Sequence, residues 1–128
     1  MTKIMRSMLG RARGMGSAKS GTAHWWAQRV TAIALAPLTL WFVWSVIRMS
    51  GRPRDAVLLW AARPLVATML AALVIATFHH MQLGLQTVID DYIHEEKPRL
   101  LYLLLMKAAV ALLALASLIA VLRMAVTG

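Results

Sequence analysis

The stretch LLYLLLMKAAVALLALASLIAVL, residues 100–122, decides the class of fold. It contains a single charged residue, Lys107. A helix needs roughly 20 mostly apolar residues to cross about 30 Å of hydrocarbon. A helix in the core of a soluble protein would keep a polar face at the helical period, whereas this run is apolar on every side. The stretch therefore predicts a transmembrane helix.

Two further runs have the same character. VTAIALAPLTLWFVWSVI, residues 30–47, and PLVATMLAALVIATF, residues 64–78, contain no charged residue. The second run is short for a span, but starting it at Val57 gives adequate length if Arg63 extends its charge to the membrane surface. The sequence thus predicts an all-α membrane protein with three transmembrane helices, near 29–49, 57–80 and 99–123.

The composition limits the possible partners and chemistry. Of 128 residues, 60% are hydrophobic, the net charge is +9 and there is no cysteine. A soluble domain of this size could not bury so much apolar surface. Without cysteine, this chain supplies no disulfide, thiolate metal site or iron–sulfur ligand. Nucleic-acid binding is a general interpretation of a basic chain, but these cations flank the spans instead of forming one basic face, so no nucleic-acid partner is predicted.

The distribution of Lys and Arg predicts the orientation. Eight cations lie before span one or between spans two and three: Lys3, Arg6, Arg11, Arg13, Lys19, Arg29, Lys97 and Arg99. The other side has at most five: Arg48, Arg52, Arg54, Arg63 and Arg123. The positive-inside rule puts the N-terminus and the 80–98 junction in the cytoplasm, and three spans put the C-terminus outside.

The chain before the first span is interpreted as a tail. Residues 1–28 form a basic cytoplasmic tail with an interfacial segment, in which Trp25 and Trp26 fit an aromatic belt, and residues 29–128 form the membrane domain. No apolar stretch typical of a secretory signal follows the early charges, while a mitochondrial presequence is an alternative because the tail has no acidic residue. The plainer interpretation is contact with anionic lipid.

The junction FHHMQLGLQTVIDDYIHEEKPR, residues 78–99, concentrates polar residues between two spans. If the second helix continues past the membrane, His80 and Gly84 lie one turn apart, and the glycine leaves a gap that a flat porphyrin could fill. Asp91 lies eleven residues after His80, about three turns, with Tyr92 beside it. A histidine within a span is a functional candidate, although an interfacial histidine satisfied by water is the alternative. Adjacent helical residues point about 100° apart, so one heme can use only one of the pair His79 and His80.

The other polar residues of the junction are weaker candidates. His94 is interpreted as loop surface, and three acidic residues as a solvated loop: Asp90, Glu95 and Glu96. A zinc site is a poor interpretation, because the spacing of the histidines and aspartates matches no zinc motif.

The segments GTAHWWAQRVTAIAL, residues 21–35, and HMQLGLQTVIDDY, residues 80–92, together resemble a known family. It is the small hydrophobic membrane-anchor subunit, D type, of bacterial succinate dehydrogenase, respiratory complex II. The resemblance covers nearly the whole chain: its length, three spans, the Arg-x-Thr-Ala that begins span one and the His-x3-Gly…Asp-Tyr that ends span two. It implies a role in reducing ubiquinone to ubiquinol, at the meeting of the tricarboxylic acid cycle and electron transport.

The resemblance also implies cofactors and site residues. A second hydrophobic cytochrome b anchor subunit and this chain would form a helix bundle, each giving one axial histidine to a single heme b. The ligand here is His80, with His79 as the alternative. Tyr92 would donate a hydrogen bond to ubiquinone with Asp91 beside it, and Arg29 would lie near the heme propionates and the quinone.

The family places the remaining redox centres elsewhere. Flavin and iron–sulfur clusters belong to a flavoprotein subunit and an iron–sulfur subunit that dock on the cytoplasmic face of the inner membrane, so this chain is part of an enzyme but holds no catalytic residue. One departure concerns the start of span one. Enteric members carry His-Asp there, whereas this chain has Ala23 and His24, which puts a propionate role for His24 in doubt.

Two other classes of function compete with this one. A small structural or pore-forming membrane protein would have only interfacial histidines and no cofactor. A component of an ion-coupled transporter would use Lys107 and Arg63 as charges within the membrane. A b-type band in a reduced-minus-oxidised spectrum would distinguish the redox anchor from both.

Overall fold

The computed structural model describes residues 7–13 and 19–128. The described chain is helical throughout, apart from short links. The helices are α1 (Met8–Arg13), α2 (Lys19–Met49), α3 (Arg54–Ala61), α4 (Pro64–Tyr92) and α5 (Glu96–Thr127). Of the predicted cytoplasmic cations, Lys3 and Arg6 lie outside the described residues, as do the side chains of Arg11, Arg13 and Lys19.

Three helices are long and apolar enough to cross a membrane: Gly21–Met49, Pro64–Tyr92 and Glu96–Thr127. This confirms the predicted all-α, three-span class. The first spanning helix, α2, begins ahead of the predicted residue 29, so the Trp25–Trp26 pair lies on a helix that is continuous with the span. This helix also runs through Pro37, which transmembrane helices tolerate because neighbouring groups satisfy the freed carbonyl.

The second span differs from its predicted bounds. Residues from Val57 to Ala61 belong to the separate helix α3, and the span begins at Pro64. Proline disfavours helical backbone at the residue before it, and Arg63 accordingly has an extended ψ of 129°. The chain recovers the length at the other end, because α4 continues past residue 80 as far as Tyr92. That continuation puts the His80, Gly84 and Asp91 positions on one helix.

Helix α4 is the central element. It packs against both α2 and α5, and the short helix α3 packs on α5 and α4. The main apolar cluster joins Ala61, Val66 and Leu70 near the start of α4, with the partly buried Trp41, Trp60, Val121 and Met124 around it. In the apolar stretch of each span, only 6% of the residues of α2, 11% of those of α4 and 6% of those of α5 are buried. Most of the apolar surface therefore faces away from this chain's own helices.

The links between helices follow the sequence signals. Gly51 has a positive φ of 77°, which a residue without a Cβ adopts at little cost, and it turns the chain between α2 and α3. Pro98 lies in the first turn of α5, where its missing N–H is not needed. Asp90 and Glu96 lie in the end turns of α4 and α5, so the predicted acidic loop is shorter than expected, although both side chains are exposed.

Candidate functional site

The site lies where the first half of α2 crosses the second half of α4. His80 Nδ1 is 2.9 Å from the hydroxyl oxygen of Thr31, and His24 Nε2 is 3.2 Å from the carbonyl oxygen of Leu83. As residue numbers rise from 24 to 31 on α2, their partners fall from 83 to 80 on α4, so the two helices are antiparallel. The imidazoles of His24 and His80 thus each connect α2 to α4.

The hydroxyl of Thr31 defines the role of the His80 ring. Its oxygen is 2.7 Å from the carbonyl oxygen of Ala27 and 3.1 Å from that of Gln28, within its own helix. A hydroxyl has one proton, and carbonyls can only accept, so the Thr31 proton is directed at its own helix. The lone pair of the hydroxyl is then available to accept a hydrogen bond from His80 Nδ1. In that tautomer, Nε2 carries the free lone pair, which is the form of imidazole that binds a metal.

His79 has different surroundings. Its side chain is exposed, whereas the neighbouring His80 is half-buried against α2. Adjacent positions on a helix are separated by about 100°, so only one of the two can lie on the α2–α4 contact. The structure brings His80 together with polar partners and leaves His79 on the outer surface of the chain.

Gly84 has open space beside it, one turn from His80. A Cβ added at this glycine would meet no atom within 4 Å outside its own neighbours and helix backbone. The face of α4 next to the imidazole is thus open in this chain. Within residues 7–13 and 19–128, no three His, Cys, Asp or Glu side chains converge as a metal site. One imidazole beside an open face would suit a group such as heme, whose porphyrin itself supplies most of the ligands of the iron.

His24 and Asp91 line a common cavity at the end of the same contact. Together with Gly21, Gln86, Thr87 and Asp90 they line a cavity of about 290 Å³. The hydrogen bond from His24 Nε2 to the carbonyl of Leu83 explains why a histidine lies here: it connects the two helices. This contact was not foreseen from the sequence, because it joins residues that are far apart in the chain.

The remaining predicted site residues lie at the surface. Tyr92, the last residue of α4, is 82% exposed, so its phenol is free to contact another molecule. The guanidinium of Arg29 lies 4.9 Å from the centre of the Trp25 ring, in a cation–π contact. Trp25 in turn meets Trp26 edge to face, with ring centres 5.0 Å apart. The cation and the two indoles form one connected surface at the start of the first span.

A second cavity lies at the opposite end of the span contact. It has a volume of about 360 Å³, and its lining includes Trp41, Ser45, Arg48, Arg52, Trp60 and Arg63. Arg48 lies 4.5 Å from the centre of the Trp44 ring, which also lines it. None of the predicted heme or quinone residues contributes to this cavity, so it is separate from the histidine contact.

Comparison with known proteins gives one consistent result. The family model of the succinate dehydrogenase/fumarate reductase transmembrane subunit matches residues 3–120. The succinate dehydrogenase hydrophobic membrane anchor subunit of Rickettsia bellii is 36% identical over 99 residues, which cover 77% of this chain and 79% of that protein. The corresponding subunit of Paracoccus denitrificans is 41% identical over 81 residues, 63% of each chain.

A more distant relative extends the same result. The succinate dehydrogenase membrane anchor subunit of Reclinomonas americana is 32% identical over 92 residues, covering 70% of this chain and 77% of that protein. No solved structure matches the chain. The family match spans nearly all of the sequence and agrees with the resemblance seen in the segments around His24 and His80. The chain belongs to the family of succinate dehydrogenase/fumarate reductase transmembrane subunits.

Proposed function

We propose that this chain is the hydrophobic membrane anchor of a succinate:ubiquinone oxidoreductase. It binds heme b jointly with a second hydrophobic anchor subunit, helps to form the ubiquinone site and holds the flavoprotein and iron–sulfur subunits at the membrane. Two findings support this: the family, in which the named relatives are succinate dehydrogenase anchors, and the orientation of His80 towards Thr31, which leaves Nε2 free. The second observation carries the cofactor assignment.

His80 is the proposed axial ligand of heme b. A bound heme supplies a one-electron carrier inside the membrane. The chain contributes a neutral imidazole with its Nδ1–H engaged, a clear face beside Gly84, and an arginine at the membrane edge, Arg29. The guanidinium can pair with a propionate through two parallel hydrogen bonds. The second anchor would supply the other histidine, as the resemblance to the family implies.

Tyr92 and Asp91 are the proposed contribution to the ubiquinone site. The exposed phenol of Tyr92 donates a hydrogen bond to a quinone carbonyl, while the isoprenoid tail of the quinone stays in lipid. The carboxylate of Asp91 is at the wall of the cavity that also contains His24. There it is a candidate for delivering protons to the quinone as it is reduced.

The catalytic subunits dock, in this proposal, on the cytoplasmic end of the chain. The end of α4 and the start of α5 present exposed charges there: Asp90, Asp91, Glu95, Glu96 and Lys97. A chain without cysteine cannot hold iron–sulfur clusters itself, so electrons reach the quinone from a cluster of the iron–sulfur subunit. The complex is placed in the bacterial inner membrane with the N-terminus in the cytoplasm.

Purification of the complex through an affinity tag on this chain tests the proposal. We expect a flavoprotein, an iron–sulfur protein and a second hydrophobic protein to co-purify, with a b-type band after reduction and succinate-dependent reduction of ubiquinone. A preparation that contains the tagged chain and lacks both the dehydrogenase subunits and the heme band would contradict it. Menaquinone offered in parallel identifies the quinone that the complex uses.

A further inference from the structure

We propose that Thr31 is a positioning residue for the heme ligand: its hydroxyl accepts the Nδ1 proton of His80 and thereby sets the tautomer and the rotation of the ring. The inference rests on the proposed role of His80 as axial ligand. Thr31 belongs to the Arg-x-Thr-Ala segment at the start of the first span, for which the proposed function gives no role to the threonine.

The first step concerns the rigidity of the acceptor. Threonine is branched at Cβ, and in a helix its hydroxyl can bond to a carbonyl in the preceding turn, which fixes its side-chain rotamer. The 2.7 Å contact with the carbonyl of Ala27 is such a bond. The proton of the hydroxyl is therefore engaged, and its remaining lone pair has a fixed direction towards α4.

The second step concerns the imidazole. A neutral histidine has two tautomers, and its ring can turn over about its last side-chain torsion, so an unconstrained His80 would present Nε2 with a lone pair only part of the time. A fixed acceptor 2.9 Å from Nδ1 favours the Nδ1–H tautomer and one ring orientation. Nε2 then carries its lone pair on the side of the ring away from Thr31.

The third step concerns what holds donor and acceptor together. They belong to different helices and are 49 positions apart in sequence, so their distance depends on the register of α2 against α4. The bond between His24 and the carbonyl of Leu83 lies nearby on the same two helices and stabilises that register. It places Thr31 opposite His80 without contacting the ring itself.

The Thr31 contact has an electronic consequence. A hydrogen-bond acceptor at Nδ1 increases the basicity of Nε2, the proposed ligating atom, and fixes the orientation of the ring. Greater basicity favours the oxidised iron, so the hydrogen bond lowers the reduction potential of the heme. Removing the acceptor should raise that potential and loosen the heme, and it should do so with no change of the iron ligand.

Three variants of the purified complex test this. Thr31→Val keeps the shape of the side chain and removes the hydroxyl, while Thr31→Ser keeps the hydroxyl. Thr68→Val is the matched control, because the Thr68 hydroxyl donates to Pro64 of its own helix, at 2.8 Å, on an exposed face. The readouts are heme content per complex, the rate of heme transfer to a scavenger apoprotein, the midpoint potential, and the electron paramagnetic resonance of the oxidised heme.

For Thr31→Val we expect a higher midpoint potential, a changed resonance signal and heme loss to the scavenger faster by about 10-fold or more, which is the scale for lost partners of metal-bound histidines. Thr31→Ser should stay close to wild type, and Thr68→Val should equal it. Wild-type potential, signal and transfer rate in Thr31→Val would overturn the inference.

The outcomes separate this inference from the proposed function. If His80→Leu keeps a normal heme, the ligand assignment fails and the role of Thr31 fails with it. If His80→Leu loses the heme while Thr31→Val is normal, only the role of Thr31 fails. If Thr31→Val does not assemble, Thr31→Ser decides: restored heme and potential support the hydrogen bond, and an unassembled serine variant shows that Thr31 acts through packing.

Discussion

His79 and His80 are neighbours in sequence with different surroundings in the folded chain. Helical spacing to Gly84 already favoured His80, because only one of two adjacent residues can share a face with a residue one turn away. The hydrogen bond to Thr31 could not be predicted in the same way. It joins positions 49 apart, and the periodicity within one helix contains no information on which faces of two helices meet. The same holds for the contact between His24 and Leu83.

Replacement of the two histidines distinguishes them. We expect His80→Leu to remove or severely perturb the heme and His79→Leu to retain it, because His79 is exposed and only His80 contacts α2. The measurement is the reduced-minus-oxidised spectrum of the purified complex, normalised to protein. A loss confined to His79→Leu would move the ligand by one residue and contradict the assignment.

Removal of the Tyr92 hydroxyl should affect quinone reduction alone. The Tyr92→Phe side chain keeps almost the same volume at a position that is 82% exposed, so assembly and heme should be preserved. A lost hydrogen bond to a neutral carbonyl costs about 0.5–1.5 kcal/mol, and about 1.4 kcal/mol is tenfold in rate. We therefore expect ubiquinone reduction to fall several-fold to tenfold.

A soluble dye provides the control for this variant. Succinate oxidation with an artificial acceptor should stay normal in Tyr92→Phe, since that acceptor does not require the anchor site. Asp91→Asn should slow ubiquinone reduction indirectly, by disturbing the position of Tyr92 or a path for protons. Wild-type ubiquinone turnover in Tyr92→Phe would show that the phenol is not a quinone ligand.

Helix boundaries differ in how far local sequence decides them. The turn after α2 was predictable, because Gly and Pro cluster there, and so was the position of Pro98. The break before α4 was not predicted, although Pro64 causes it, since the search for a sufficiently long span favoured a start at Val57. The hydrophobic run from 64 to 78 is only the first part of a 29-residue helix, whose polar remainder continues to Tyr92.

Gly51 provides a test at the level of the α2–α3 link. Its φ of 77° is unfavourable for a residue with a Cβ, and we expect Gly51→Ala to destabilise the chain by about 1–2 kcal/mol. Gly21→Ala is the matched control, because Gly21 lies within α2 with open space around it, and alanine there should be neutral or stabilising by about 0.5–1 kcal/mol. Thermal unfolding of the complex in detergent measures both, and equal midpoints for the two variants would contradict the expectation.

The three apolar spanning helices have little interior of their own. Only Ala61, Val66, Leu70, Leu83 and Val110 are buried apolar residues in the described part of the chain. The fold class was therefore predictable from hydropathy, since lipid exposure leaves a strong signal in composition. The arrangement in which α4 lies against both α2 and α5 was not predictable, because each span has a long apolar run and many pairings of such runs are possible.

The orientation in the membrane is testable with reporters at the termini. The excess of Lys and Arg before the first span and after the second predicts an inside N-terminus and an outside C-terminus. An enzyme reporter that is active only outside the cytoplasm should be active when fused after Gly128 and inactive when fused to the N-terminus. An inactive reporter at the C-terminus would contradict the predicted topology.

The hydrogen bonds that connect α2 and α4 lie within a single polypeptide, and this has a consequence for biosynthesis. The Thr31–His80 bond can form as soon as the ribosome has delivered the first two spans to the bilayer. In the proposed function, this chain's share of the heme site can then form without the second anchor. We therefore expect the orientation of the His80 ring not to depend on which anchor enters the membrane first.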